Sequence, residues 1–173
     1  SVLQTLSRTG SILLDTLAYW RGCSFIQSKE RQVDKSFPSD EQLMNAALEA
    51  KERAYAPYSG FRVGAALVTE SGTIFTGCNV ENCSYGLTCC AERNALFTAI
   101  GQGSRLFKKL VIVSDGPKPA TPCGACRQVM IEFATDLPLI SVSETGETIE
   151  ANLKDLLPQP FTRQTLAENV DTE

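Results

Sequence analysis

Histidine is absent from this chain of 173 residues, and its absence excludes several kinds of active site. A Ser-His-Asp triad, a Cys-His dyad and an H-E-x-x-H zinc site each need an imidazole. A metal site must therefore be built from cysteine or carboxylate ligands. A general base must be a carboxylate, lysine, tyrosine or cysteine.

The chain also lacks a long apolar run and an excess of basic residues. Residues 12–26 are the best candidate for a membrane span, but Asp15 and Arg21 interrupt them, so we expect none. The net charge is −4, with acidic and basic residues mixed along the chain. Because a nucleic-acid backbone needs a basic surface, we expect no nucleic-acid partner.

The length and an apolar share of 43% are those of one globular domain with tails. We expect an N-terminal extension at 1–38, a catalytic domain at 39–162 and a C-terminal tail at 163–173. The extension is poor in acids, which is typical of an organelle transit peptide. The alternative is a segment that packs on the surface or on a neighbouring subunit. We expect a cytoplasmic protein, or an organellar one if residues 1–38 are a transit peptide.

The hydrophobic pattern predicts an α/β domain with a mixed sheet. Ser39 or Asp40 can cap a first helix, whose apolar positions recur as far as Ala54. Further helices are expected at 90–100, 123–133 and from Asn152 to Leu157, and strands at 61–69, 73–78, 110–114, 139–143 and 147–151. The expected architecture has three layers, with a central mixed five-stranded sheet flanked by helices.

Two cysteine motifs stand at the starts of predicted helices. The first is Cys-Ala-Glu-Arg at 90–93 and the second is Pro-Cys-Gly-Ala-Cys-Arg-Gln at 122–128. The partial positive charge at a helix N-terminus stabilises thiolates. If the two helix starts meet, Cys90, Cys123 and Cys126 surround one metal ion.

Three thiolates can hold Zn²⁺ and leave a fourth position for water, as in a catalytic site. Glu92 is placed to move protons at that water, although an acid in a first helical turn can also be a solvent-exposed residue. A C-x-x-C pair alone also occurs in structural zinc sites and redox dithiols. Cys89 would close the site as a fourth ligand, but adjacent residues rarely point the same way from a helix start.

The charge of such a site needs an offset, because Zn²⁺ with three thiolates carries about −1. Arg93 and Arg127 lie close behind ligand cysteines, and guanidinium donors to the sulfurs would restore electrophilicity. Either arginine could instead form an exposed ion pair. We expect the other four cysteines to be small buried apolar residues in a reducing compartment; they are Cys23, Cys78, Cys83 and Cys89.

From about Asp40 to Phe161 the chain resembles the small zinc-dependent cytidine deaminases of pyrimidine salvage. The resemblance rests on both cysteine motifs, on Pro-Tyr-Ser-Gly-Phe-Arg-Val-Gly-Ala-Ala at 57–66 and on Asn-Val-Glu-Asn at 79–82. Zinc deaminases use a glutamate beside the metal as their acid and base. Deaminases of deoxycytidylate or polynucleotides usually have histidine as the first zinc ligand. A cysteine at this place, as at position 90 here, resembles the homotetrameric nucleoside enzymes instead.

The resemblance implies one Zn²⁺ per subunit, a cytidine or deoxycytidine substrate and roles for further residues. Asn79 and Glu81 look like the pair that binds the ribose 3′-hydroxyl. Phe61 looks like the aromatic that packs on the base, and the backbone N–H of Ala91 like the donor to the pyrimidine carbonyl. Two further aromatics match residues that enter a neighbour's active site and imply a homotetramer with shared sites; they are Tyr85 and Phe161.

Three other functions remain open at this point. The substrate could be another small cytosine-containing molecule, such as a nucleoside antibiotic. The chain could edit RNA or DNA, which would require an open pocket with a basic, aromatic surface. It could also be a non-catalytic zinc scaffold, although an intact Glu92 argues against that.

Overall fold

The first helix begins where the sequence predicts. The structure, a computed structural model, describes residues 37–170. Helix α1 (Asp40–Lys51) starts after Ser39, whose hydroxyl accepts from the Gln42 N–H at 3.3 Å while the Gln42 side chain accepts from the Ser39 N–H at 2.9 Å. This capping box selects Ser39 over Asp40 as the cap. Most of the predicted extension, with its apolar run at 12–26 and Cys23, lies outside the described residues.

Five strands form one mixed sheet, which confirms the predicted architecture. The spatial order is β2-β1-β3-β4-β5, and only β3 and β4 run parallel to each other. The strands are β1 (Val63–Thr69), β2 (Ile74–Cys78), β3 (Phe107–Ser114), β4 (Pro138–Val142) and β5 (Thr148–Asn152). One edge of the sheet is therefore formed by the start of β1 together with the C-terminal ends of β2, β3 and β4.

Helices cover both faces of the sheet. Helix α1 packs against Ala66 and Val68 of β1, whereas Ala65 and Leu67 face the opposite layer. That layer contains α2 (Ala91–Gly101), α3 (Gly124–Ile131) and α4 (Leu153–Leu156), and the last helix along the chain is α5 (Arg163–Val170). A strand covered on both faces reads as a continuous apolar run, as β1 does, and the result is the predicted three layers.

Two strand glycines allow the helices to rest on the sheet backbone. A Cβ at Gly64 would overlap the carbonyl oxygen of Ala47 in α1. A Cβ at Gly77 would overlap the backbone of α2 near Ala95. Gly77 lies in β2. Its lack of a side chain therefore sets how closely the first turns of α2 approach the sheet.

Several boundaries differ from the sequence prediction. Strand β3 begins at Phe107, three residues early, because Phe107 is buried and pairs with Thr69 although charged residues follow it. Strand β1 begins at Val63 rather than 61, since the N–H groups of Phe61 and Arg62 donate to the side chains of Ser59 and Asp115 instead of to a neighbouring strand. Residues 163–170 form α5 where only a tail was expected. Asn152 caps α4 as predicted.

A buried ion pair joins α1 to the edge of the sheet. Lys51 lies at the end of α1 and donates to Asp115 at 2.8 Å, although its side chain is only 7% exposed. Arg62 gives the same carboxylate its backbone N–H and its Nε, both at 3.0 Å. Burial raises the pKa of Asp115, but these hydrogen bonds from Lys51 and Arg62 outweigh it and lower the pKa to about 2.

We expect the Asp115 carboxylate to stabilise the fold down to unusually low pH. Its pKa in the folded protein lies below the ordinary 3.8, so the stabilisation is complete above that value and is lost as pH falls towards about 2. Asp115→Asn should lower the unfolding temperature at pH 7. The difference from the wild type should shrink between about pH 4 and pH 2.

Asp136→Asn is the matched control, because its ion pair with Lys154 is largely exposed and contributes little. Thermal unfolding followed by circular dichroism across pH 2–7 measures both variants. A difference between Asp115→Asn and the wild type that stays constant over this range would contradict the assignment.

Candidate metal centre and substrate cleft

Three cysteine sulfurs meet where two helices begin. Cys90 is the N-cap of α2 and Cys123 is the N-cap of α3, and neither uses its side chain to cap its own helix. Cys126 is buried in the first turn of α3. The Sγ atoms of Cys90 and Cys123 are 3.8 Å apart, those of Cys123 and Cys126 are 3.5 Å apart, and all three lie within 4.8 Å of one another.

This geometry fits a zinc ion. Two Zn–S bonds of about 2.3 Å at a tetrahedral angle place their sulfurs about 3.8 Å apart. Within residues 37–170, no fourth cysteine or carboxylate belongs to the cluster, so Cys89 is not part of it. Three thiolates would hold the ion and leave one position for another ligand, which is the arrangement of a catalytic zinc site.

Cys90 receives hydrogen bonds from a neighbouring thiol and from Arg93. A hydrogen bond from Cys126 lowers the pKa of Cys90, and the Arg93 guanidinium lowers it further. The hydrogen bond to Cys90, together with burial, raises the pKa of Cys126. Arg93 donates to the Cys90 sulfur at 3.5 Å and to the carbonyl of Thr88 at 2.9 Å, so the contact that its predicted role requires is present.

Arg127 is placed differently from the sequence prediction. Its guanidinium donates to the carbonyls of Pro122 at 2.7 Å and Leu156 at 2.9 Å, and to the hydroxyl of Thr121. These contacts tie the start of α3 to α4, and none of them reaches a sulfur. The expected donation from Arg127 to a thiolate therefore has no counterpart in the described residues.

Glu92 lies beside the cluster and is almost fully buried. It is the second residue of α2 and is only 6% exposed. Burial raises the pKa of Glu92 because an apolar environment disfavours the charged carboxylate. A raised pKa brings a carboxyl group nearer to neutral pH, where it can both accept and release a proton. The alternative prediction, that Glu92 is a solvent-exposed residue of a first helical turn, is therefore wrong.

The cluster opens into a cleft of about 280 Å³. The lining contains most of the residues predicted to bind substrate, together with Glu92 and two of the cysteines. Its members are Ser59, Phe61, Val63, Asn79, Glu81, Thr88, Cys90, Ala91, Glu92, Ile112, Ala120, Thr121 and Cys123. Residues that are about 60 positions apart in the sequence, such as Ser59 and Cys123, thus line the same cleft.

The cleft presents an aromatic side chain and a free helix N-terminus. Phe61 lies against Gly116, whose φ of +89° also favours glycine, and a Cβ there would stand 3.4 Å from the ring. Ala91 is the first residue of α2, so its backbone N–H has no acceptor within the helix. A flat heteroaromatic ring with a carbonyl group complements both features.

Asn79 and Glu81 hold the segment that carries Phe61. The Asn79 amide donates to the carbonyl of Phe61 and accepts from the N–H of Val63, each at 2.9 Å. The Glu81 carboxylate accepts from the N–H groups of Tyr58 at 2.8 Å and Ser59 at 3.2 Å, and from the Ser59 hydroxyl. Hydrogen bonds from Ser59 and Tyr58 lower the pKa of Glu81.

Tyr85 and Phe161 are absent from the lining of this cleft, although Tyr85 lines an adjoining pocket with Ser59, Glu81 and Thr88. Tyr85 is 74% exposed and contacts the ring of Tyr58 with centroids 5.8 Å apart. Phe161 is 59% exposed, and its carbonyl accepts from the side chain of Gln128. Both rings are available to another molecule.

Sequence reasoning missed part of the lining. Ser59 lies within the motif at 57–66, but its hydroxyl contacts depend on how that segment folds back on Glu81. Thr88 and Thr121 are loop residues, and the sequence gives no signal that separates them from other loop threonines. Among the remaining cysteines, Cys83 is exposed rather than buried, and Cys78 and Cys89 are half-buried.

We expect Cys126→Ser to remove zinc. The loss of a buried thiolate should lower zinc affinity by more than the about 10–100-fold that loss of an outer partner costs. Zinc content measured by mass spectrometry after dialysis, together with the unfolding temperature before and after chelation, tests this. Cys78→Ser is the control, because that half-buried thiol lies outside the cluster. Full zinc content in Cys126→Ser would exclude Cys126 as a ligand.

Comparison with known proteins identifies the family. The family model described as the cytidine and deoxycytidylate deaminase zinc-binding region matches residues 38–140. The chain is 46% identical to the cytidine deaminase of Sporosarcina psychrophila over 73% of this chain and 94% of that protein. It is 43% identical to the probable cytidine deaminase of Dictyostelium discoideum over 77% of this chain and 90% of that protein.

A solved structure gives the same result. The crystal structure of cytidine deaminase from Burkholderia pseudomallei superposes with a TM-score of 0.70 at 49% identity, covering 72% of this chain and all of that one. The geometry of the three sulfurs and the match to a zinc-binding family model agree with each other. The chain therefore belongs to the zinc-binding cytidine and deoxycytidylate deaminase family.

Proposed function

We propose that this protein hydrolyses the amino group of cytidine and deoxycytidine, giving uridine or deoxyuridine and ammonia. The observation that carries the proposal is the convergence in one cleft of the three-cysteine cluster, buried Glu92 and the side chains expected to bind a nucleoside. Relatives that match most of the chain are named cytidine deaminases. Cys90, Cys123 and Cys126 hold the metal, and bound zinc supplies the Lewis acid that activates water at neutral pH.

Glu92 carries protons between water and the base. Its carboxylate accepts a proton from the attacking water and delivers it to the ring nitrogen N3 as a C–O bond forms at C4. A second transfer through the same carboxyl group carries the proton of the new C4 hydroxyl to the amino group. The C–N bond then breaks, C4 becomes a carbonyl, and ammonia leaves. Burial keeps bulk water from this carboxyl and raises its pKa towards the pH at which it must act in both directions.

The rest of the cleft orients a nucleoside. Phe61 packs on the pyrimidine face and the Ala91 N–H donates to the pyrimidine carbonyl. Asn79 and Glu81 bind the 3′-hydroxyl of the sugar. Among the described residues that line the cleft there are two carboxylates and no lysine or arginine, so the lining favours a neutral nucleoside over a phosphate ester or a polynucleotide.

The subunits assemble as a homotetramer with shared active sites. Support comes from large apolar side chains that one chain leaves exposed next to the cleft, Tyr85 and Leu87 among them. Large exposed apolar patches are typical of interaction surfaces. Tyr85 and Phe161 enter the cleft of a neighbour and complete it.

The reaction belongs to pyrimidine salvage, because it converts one preformed nucleoside into another. We place it in the cytoplasm, with an organellar location as the alternative if residues 1–38 direct import. Six cysteines of the described chain are free thiols, including the three ligands, which suits a reducing compartment. No helix among the described residues is long and apolar enough to cross a bilayer.

Glu92→Gln should retain zinc and lose at least about 10²–10⁴ in kcat, because the amide cannot exchange protons with water and N3. Ammonia release and the loss of absorbance near 280 nm with cytidine measure turnover. Glu132→Gln is the control, since Glu132 caps the end of α3, away from the cleft. Near-normal turnover by zinc-loaded Glu92→Gln would exclude the proton-transfer role.

The same assay tests the overall proposal with the wild-type protein. Turnover of cytidine at ordinary enzyme rates supports the nucleoside deaminase function. A zinc-loaded and folded protein that leaves cytidine and deoxycytidine unchanged would refute it. Turnover of another cytosine-containing compound would then identify the substrate class.

Leu87→Asp should break the assembly and lower activity together, because the charge disrupts a shared surface and leaves clefts incomplete. Light scattering after gel filtration gives the mass, and kcat is measured at the same protein concentration. Leu106→Asp is the control, since Leu106 is similarly exposed but lies at the opposite end of the sheet. A fully active Leu87→Asp monomer would contradict the shared site.

A further inference from the structure

Ser59 lies between the residue proposed to bind the sugar and the residue proposed to bind the base. Its hydroxyl oxygen is hydrogen-bonded to Glu81 Oε1, and the N–H of Phe61 lies 3.0 Å from the same oxygen. The Ser59 backbone N–H also donates to Glu81 Oε2 at 3.2 Å. Ser59 therefore contacts Glu81 and Phe61 and lines the cleft itself.

The direction of these hydrogen bonds is determined by their partners. The Phe61 N–H can only donate, and the ionised Glu81 carboxylate can only accept. The single hydroxyl proton of Ser59 must therefore point to Glu81, while a lone pair of the same oxygen accepts from Phe61. Alanine at this position would remove both bonds, and no rotation of a neighbouring group could replace the hydroxyl.

Gly60 makes the short path from Ser59 to Phe61 possible. Its φ of +68° is in the left-handed region that favours glycine, and its N–H donates to the carbonyl of Ala56 at 3.0 Å. This turn brings the Phe61 N–H back over the Ser59 side chain. The position of the Phe61 backbone thus depends directly on the Ser59 hydroxyl.

The contacts of Glu81 leave room for one more donor. An ionised carboxylate offers about four lone-pair positions. Three are used by the Tyr58 N–H, the Ser59 N–H and the Ser59 hydroxyl. One remains for a substrate hydroxyl, and a donor placed there shares the carboxylate charge with Ser59.

We propose that Ser59 is a positioning residue that couples recognition of the sugar hydroxyl by Glu81 to placement of the Phe61 ring on the base. The proposal rests on the proposed function. The path runs from the substrate hydroxyl to Glu81, to the Ser59 hydroxyl and to the Phe61 N–H. A hydrogen bond to a charged group is stronger than one between neutral groups, so the Ser59–Glu81 bond is the step that carries most of the coupling.

The coupling predicts a specific effect on substrate preference. Cytidine and 3′-deoxycytidine differ only in the hydroxyl that Glu81 is proposed to bind. In the wild type, kcat/KM should be higher for cytidine. In Ser59→Ala that preference should shrink about tenfold, because the Glu81 carboxylate is no longer oriented. The inhibition constant of 3′-deoxycytidine against cytidine turnover gives a second measure of the same preference.

A matched pair of variants separates the hydroxyl from the shape of the side chain. Threonine and valine have the same shape, so Ser59→Thr should keep the preference and Ser59→Val should lose it. Ser71→Ala is a further control, because Ser71 bonds Thr69 and Thr73 in the β1–β2 turn, at the far end of the sheet. The unfolding temperature and zinc content of each variant establish that it is folded and loaded.

The outcomes separate this proposal from the proposed function. Failure of the wild type to deaminate cytidine would refute the function itself. With an active wild type, an equal preference in Ser59→Ala, or equal values for Ser59→Thr and Ser59→Val, would overturn the coupling. A parallel loss of kcat/KM for both nucleosides in Ser59→Ala would show a structural role only and would also overturn it.

Discussion

The chemistry of this protein depends on the close approach of two helix starts. Helices α2 and α3 both begin at one edge of the sheet. Each helix begins with a cysteine in extended conformation, and the sulfurs of Cys90 and Cys123 come within 3.8 Å. Both helix starts carry a partial positive charge, which favours thiolates at the same point. The overlap that a Cβ at Gly77 would cause shows how closely α2 must approach β2 for this to happen. A larger residue there would move Cys90 and Glu92 together, so the proposed ligand and the proposed proton carrier depend on one packing contact.

The second wall of the cleft is a loop held in place by polar side chains. Asp115 binds Arg62, Asn79 binds the backbone on both sides of it, and Glu81 binds Tyr58 and Ser59. A loop that carries a binding residue needs such support, because its backbone has no ladder of strand hydrogen bonds. Asn79 and Glu81 thus hold the loop and also line the cleft. The proposed substrate contacts and the order of the loop would then depend on the same atoms, with the Ser59 hydroxyl bonded to both Glu81 and Phe61.

Sequence patterns predicted the strands and their arrangement better than the bounds of the individual elements. The five strands and their mixed arrangement were predicted, because apolar runs such as β1 are bounded by clear turn signals. The start of β3 was missed because Lys108 and Lys109 interrupt the apolar pattern between buried Phe107 and the continuously buried run from Leu110 to Ser114. Helix α5 was missed because its short, polar sequence has little apolar periodicity. The expected contact from Arg127 to a sulfur was also absent, since nearby carbonyls take its donors.

The sequence by itself determined the chemical groups of the site and their order. Without histidine, a metal site was limited to cysteine or carboxylate ligands, and the glutamate two residues after Cys90 was the predicted proton carrier of such a site. Tertiary structure decided which groups share a cleft, because residues from Ser59 to Cys123 come together only when the strand ends align. It also decided that Glu92 is buried, that Arg93 rather than Arg127 reaches a sulfur, and that Ser59 bridges Glu81 and Phe61. Distances and burial of this kind arise from packing between distant segments, and local sequence spacing does not contain them.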